Sequence, residues 1–173
     1  MTAKQQQILD SALNLFATKG FEATSTRSIA QKAGVSEGLI FRHFENKEGL
    51  LRDLLKSEQK KLETLIHTID NLTYPKVILK HVISLPFNIS RENRDYWRVF
   101  YSLRWQKNIE SGNFLERLSH KVTDAFRALD YSDPKSESWT FMMIWEGAMA
   151  YILLNNPKNS LFIYGSLLSK FEL

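Results

Sequence analysis

Residues 24–51 read TSTRSIAQKAGVSEGLIFRHFENKEGLL. Thr24 or Ser25 offers a hydroxyl that can cap a short helix from Thr26 to Ala33, with Ile29, Ala30 and Ala33 on one side and Gly34 ending it. Ser36 is a cap for a second short helix, Gly38 to Phe44, which begins only a few residues after the first stops. Upstream, Ala3 to Lys19 carries Ile8, Leu9, Ala12, Leu13, Leu15 and Phe16 in a broad apolar stripe and meets Gly20 at its end. Two short helices across a tight Gly-containing turn, preceded by a packing helix, form a helix-turn-helix. Phe16, Ile29, Ala33, Val35, Ile40 and Phe44 are its expected small core.

The same helical period continues downstream. Asn46 caps a long helix to about Asp70, Pro75 suits the first position of another, and Pro86 should end it. Ser90 precedes a segment of about Arg91 to Ile109. Asn113 with Glu116 resembles a capping box, Asp133-Pro134 opens the next helix, and Asn156-Pro157 the last. The expected fold is all-α: a three-helix helix-turn-helix domain, residues 1–46, then a helical bundle, residues 47–173, with about nine helices in total.

The absence of cysteine excludes disulfides, thiolate metal sites and a cysteine nucleophile, and fits a reducing cytoplasm. The N-terminus lacks the apolar core of a signal peptide, and the longest apolar run, Trp139 to Leu154, is interrupted by Glu146 and is too short for a bilayer span. A cytoplasmic protein with no membrane partner is expected. Formal charge is +4, but residues 1–60 carry 9 Lys+Arg against 7 Asp+Glu and residues 61–173 carry 14 against 12. Net charge therefore singles out neither part as the nucleic-acid partner, and the case rests on individual positions.

The outward face of the second short helix offers Glu37, Arg42 and His43. Arg42 can donate paired hydrogen bonds to guanine, and backbone N–H groups near Ser36 favour a phosphate oxygen. Thr26, Arg27 and Lys47 are placed for phosphate or, for the first two, a base edge. The run Thr24 to Leu51, with Ala12 to Phe21 before it, resembles the signature of the TetR family over residues 8–55. The resemblance implies a homodimeric transcription regulator, a repressor, that binds a near-palindromic double-stranded DNA operator through Ser36 to Phe44. It also implies a divergent second domain that takes a small apolar or amphipathic inducer. Two positions depart from the pattern: residue 39, usually Thr, is Leu39, and residue 41, usually Tyr, is Phe41. Two common phosphate contacts are thereby absent. With Gly38, these residues complete the expected DNA-facing helix.

In the body, Trp97, Tyr101 and Trp105 recur every four residues and share one helix face, while Trp139, Met142, Met143 and Glu146 line a face of a later helix. Trp97, Tyr101, Trp105, Met142 and Glu146 are the candidate ligand contacts; a filled aromatic core is the alternative. Glu146, inside an apolar run, needs a donor or cation, either a ligand or an arginine such as Arg94, Arg98 or Arg104. The last two helices are apolar on more than one face, so the expected cover is a second subunit through Ile144, Gly147, Ala148, Tyr151, Leu161, Tyr164 and Leu168.

Catalysis is not expected. Glu63/His67 and Glu116/His120 each put a carboxylate and an imidazole one turn apart, but both pairs fall on polar faces, and His81 is a single core candidate. No nucleophile elbow, phosphate-binding glycine loop or zinc-protease motif occurs in the sequence, and no metal or cofactor is expected.

Overall fold

The computed structural model describes the backbone of residues 1–107 and 114–173, and within these the side chains of all but 58–65, 91–92 and 104–107. Among the described residues the regular structure is all helical. In order it comprises α1 (Ala3–Lys19), α2 (Thr26–Ala33), α3 (Glu37–Phe44), α4 (Lys47–Asp70), α5 (Pro75–Ser84), a 3₁₀ turn (Leu85–Phe87), α6 (Arg91–Lys107), α7 (Phe114–Ala128), α8 (Pro134–Asn155) and α9 (Ser160–Lys170).

Local chemistry sets most of these boundaries. Thr2 and Gln5 form a reciprocal capping box at the start of α1. Ser25, not Thr24, caps α2, accepting from the Ser28 N–H. Thr24 is buried and donates to the Gly20 carbonyl at 2.7 Å. Gly34 ends α2 at φ 64, where only a residue without Cβ is unstrained. Ser36 does occupy the cap position of α3, but its hydroxyl makes no capping bond. Asp133 caps α8 as expected, with Pro134 in its first turn. The last helix differs from expectation. Asn156 turns left-handed at φ 43 to close α8, a turn follows at Lys158 and Asn159, and α9 starts only at Ser160. Asn113 lies outside the described residues.

The chain packs as two compact units, Met1–Lys61 with Arg91–Glu110, and Leu62–Ser90 with Ser111–Leu173. The expected division at residues 46 and 47 is drawn by role, whereas these units are drawn by packing, and α6 joins the N-terminal helices. The first unit's core contains Ile8, Phe16, Ile29, Ile40, Phe44, Leu50 and Leu54 together with Val99 and Leu103 of α6. Each such buried side chain contributes about 1.5–3 kcal/mol. Asn14 of α1 also donates to Asp95 of α6 at 3.3 Å.

The second unit is centred on Trp145, which is fully buried with Leu79, Val82, Ile83, Phe126 and Phe141. Its packing has a specific polar cause. Pro86 has no N–H, so the Val82 carbonyl loses the donor four residues on. The Leu85 N–H takes it in a 3₁₀ bond, and the Trp145 indole N–H donates to it at 2.8 Å. At the end of α4, Lys121 donates to the Asp70 carbonyl at 2.8 Å and Arg117 pairs with the Asp70 carboxylate. No described helix is long and apolar enough to cross a membrane.

Candidate nucleic-acid interface

Ile40 and Phe44 point into the core of the first unit and fix which side of α3 faces outward. Half-buried Leu39 also packs on that core. What remains on the outer side is Ser36, Gly38, Phe41 and Arg42, all exposed. A Cβ at Gly38 would meet nothing within 4 Å, so the middle of this face is open backbone. Phe41 keeps 47% of its surface exposed, an aromatic ring on an otherwise polar side. Arg42 stands one turn beyond Gly38 and Arg27 on the first turn of α2, and both are exposed.

Three other expected contacts have partners inside the protein. Thr26 donates to Glu37 Oε1 at 2.6 Å, joining the starts of α2 and α3. His43 is half-buried, with Nδ1 3.3 Å from Gln5 Nε2. Lys47, expected to face phosphate, turns inward and donates to the carbonyls of Phe21 at 2.9 Å and Thr24 at 3.1 Å. Phe41, Lys47 and residues Glu22 to Thr26 line a shallow open cleft beside α3.

The other expected sites divide as follows. Trp97 and Tyr101 belong to the unit of α6, where Trp97 is buried and its ring centre lies 5.4 Å from that of Tyr96 and 5.8 Å from that of Phe100. Met142 is buried and Glu146 half-buried in the unit of α8, and Trp105 and Arg104 lie outside the described side chains. Trp139 and Met143 do not share the face of Met142. They are 57% and 67% exposed, on a stripe that continues through Gly147, Tyr151 and Leu154. No residue of α9 is buried, although Leu161 and Phe162 are 80% and 75% exposed. Of the other expected dimer residues, Ile144, Ala148, Tyr164 and Leu168 are half-buried. Trp139, Met143, Leu154 and Phe162 were not among the expected contacts, because an all-round apolar helix does not reveal in sequence which side its own unit covers.

No cluster of three metal-ligating side chains occurs among the described residues. Glu116 and His120 approach at 3.9 Å on an exposed surface, and Glu63 lies outside the described side chains. The Nε2 atom of His81 is buried with no hydrogen-bond partner among the described residues.

Comparison with known proteins bears on residues 8–54, which match the family described as bacterial regulatory proteins, tetR family. An uncharacterised HTH-type transcriptional regulator of Bacillus subtilis is 37% identical over 78 residues, covering 45% of this chain and 41% of the relative. An HTH-type transcriptional repressor of Mycobacterium tuberculosis is 44% identical over 61 residues, covering 35% of this chain and 32% of the relative. The matches thus span less than half the length of these curated relatives. In fold, the chain is similar to a crystal structure of a transcriptional regulator from Saccharomonospora viridis in complex with choline. The TM-score is 0.80 at 17% identity, over 96% of this chain and 94% of that one.

Proposed function

From the match of residues 8–54 to the family described as bacterial regulatory proteins, tetR family, we propose that this chain is a transcriptional repressor of that family. In this reading it binds a near-palindromic operator as a homodimer and is released by a small apolar or amphipathic ligand. The observation that carries the reading is the outer side of α3: Gly38, Phe41 and Arg42 are exposed while Ile40 and Phe44 anchor the helix from behind. A helix held in this way can enter a major groove, with Arg42 reading guanine and Arg27 reaching phosphate or a base edge.

The apolar stripe of α8 and the uncovered sides of α9 support a self-association surface. Leaving Met143, Leu154, Leu161 and Phe162 in water is unfavourable by about 25 cal/mol for each Å² of apolar surface, and a second copy offers the same surface in return. Two copies related by a two-fold axis present two α3 helices, so the half-sites repeat with inverted symmetry. A ligand releases such a dimer only through higher affinity for a form whose reading helices are misplaced. The choline bound by the Saccharomonospora protein supports a ligand of this size, and the π faces of Trp97 and Tyr101 would suit a small organic cation.

Titration against random duplex DNA at two salt concentrations tests the reading. Affinity should fall steeply as salt rises, because neutralised phosphates release counterions. Binding that is absent, or indifferent to salt, contradicts it.

A further inference from the structure

The first turn of α4 is where the helix-turn-helix closes on itself. Asn46 Oδ1 accepts the Gly49 N–H at 2.7 Å, and a Cβ at Gly49 would meet the Phe44 carbonyl oxygen at 2.0 Å. The end of α3 and the start of α4 therefore lie in backbone contact that only glycine permits. One side chain carries this fixed point across to the other end of the motif. Lys47 Nζ donates to the carbonyls of Phe21 and Thr24 at 2.9 and 3.1 Å, has the Glu22 carbonyl at 3.5 Å, and stands 4.3 Å from the centre of the Phe21 ring.

An ammonium has three protons, and here three carbonyl oxygens and one aromatic face surround it. Such charge-assisted bonds are stronger than neutral ones, and they converge on the loop that sets the direction of α2. Thr24, whose carbonyl Lys47 holds, is followed directly by Ser25, the cap of α2, and then by Thr26 and Arg27. A phosphate contact would draw the ammonium away from at least one of these partners.

We propose that Lys47 is a positioning residue of the reading unit and not a phosphate contact: its ammonium ties the start of α4 to the loop before α2 and so holds α2 and α3 in their DNA-reading arrangement. The proposal rests on the DNA-binding function given above. It reverses the role that the sequence assigns to this lysine, and it gives Phe21 a second use as the aromatic wall of the cation's site.

The test compares the wild-type protein with Lys47→Met, which keeps the stem and removes the charge. Operator affinity should fall by about tenfold or more, with the slope of log K against log salt unchanged. In the DNA-free variant, amide exchange across residues 21–26 should accelerate. A slope flattened by about 0.9 for each lysine removed, with loop exchange unchanged, overturns the proposal. The ¹⁵N resonance of the Lys47 ammonium in the wild-type protein gives a readout that needs no variant. It should be slowed in hydrogen exchange without DNA and unmoved when operator is added; a rapidly exchanging ammonium that becomes protected only with DNA contradicts the proposal. If the wild-type protein binds no duplex DNA, the proposed function fails, while loop exchange and the ammonium signal of the free protein still decide the place of Lys47.

Discussion

Thr26 Oγ1 donates to Glu37 Oε1 at 2.6 Å, so the first residue of α2 and the first residue of α3 are joined side chain to side chain. Both are half-buried, and the bond holds the Glu37 carboxylate on a partner within the protein. Hydrogen bonds to a charged acceptor contribute more than neutral ones. Thr26→Val should cost about 1–2 kcal/mol of stability, and a double-mutant cycle with Glu37→Ala in urea unfolding should show that most of this loss is shared between the pair. Additive losses would mean that the two side chains do not support one another.

Trp145 offers a sharper case, because its indole N–H compensates a donor that Pro86 cannot supply. Trp145→Phe deletes the bond to the Val82 carbonyl and also empties the space of the fused pyrrole ring in a fully buried site. The expected loss is about 1–3 kcal/mol. Urea midpoints measure it, and a variant as stable as the parent would show that the Leu85 bond satisfies this carbonyl alone.

The stripe on α8 and α9 predicts variants that change assembly without unfolding the protomer. Leu154→Glu and Phe162→Glu place charge at positions 77% and 75% exposed in the single chain, so each subunit should keep its helix content. Light scattering should report monomers for both and dimers for the parent at micromolar concentration. DNA affinity should fall with dimer loss, since one head engages only one half-site. A parent protein that is monomeric under these conditions contradicts the dimer reading.

Asp133 gives a pH dependence with a definite sign. The Ser136 hydroxyl and then the Ser136 backbone N–H hold its carboxyl below the ordinary 3.8. A carboxylate whose value is lowered by folding stabilises the fold above the unfolded value and loses that contribution as pH falls through the folded value. The start of α8 should therefore loosen only below pH 3.8. NMR titration of the Asp133 carboxyl should give a midpoint under that figure, and a midpoint above it would show that the cap is not formed in solution.

Most helix ends were legible in sequence because their signals are local. Ser25, Gly34, Asn46 and Pro134 act within a few residues of their own backbone, and the structure puts each at a helix end. The packing of α6 on α1 had no such signal. Asn14 and Asp95 are 81 residues apart, and nothing in either neighbourhood announces the partner. Lys47 was placed on the first turn of α4, but sequence gives only a charge and a helix position and not the three carbonyls that converge on it. Trp139 and Met143 were assigned to the face of Met142 because a helix apolar all round has no phase to read. The late start of α9 came from the left-handed Asn156, a backbone choice that an Asn-Pro pair permits but does not require.

Arg42 on the outer side of α3 carries the central claim, and selection of bound duplexes from a random pool tests it most directly. The parent protein should enrich two inverted half-sites about one helical turn, or a multiple of it, apart. Arg42→Ala should lose about 1–3 kcal/mol on the enriched sequence and relax the preference at one position of each half-site while retaining the others. A parent that enriches no motif, or an Arg42→Ala protein that selects the same motif with undiminished affinity, contradicts the assignment of α3 as the reading helix.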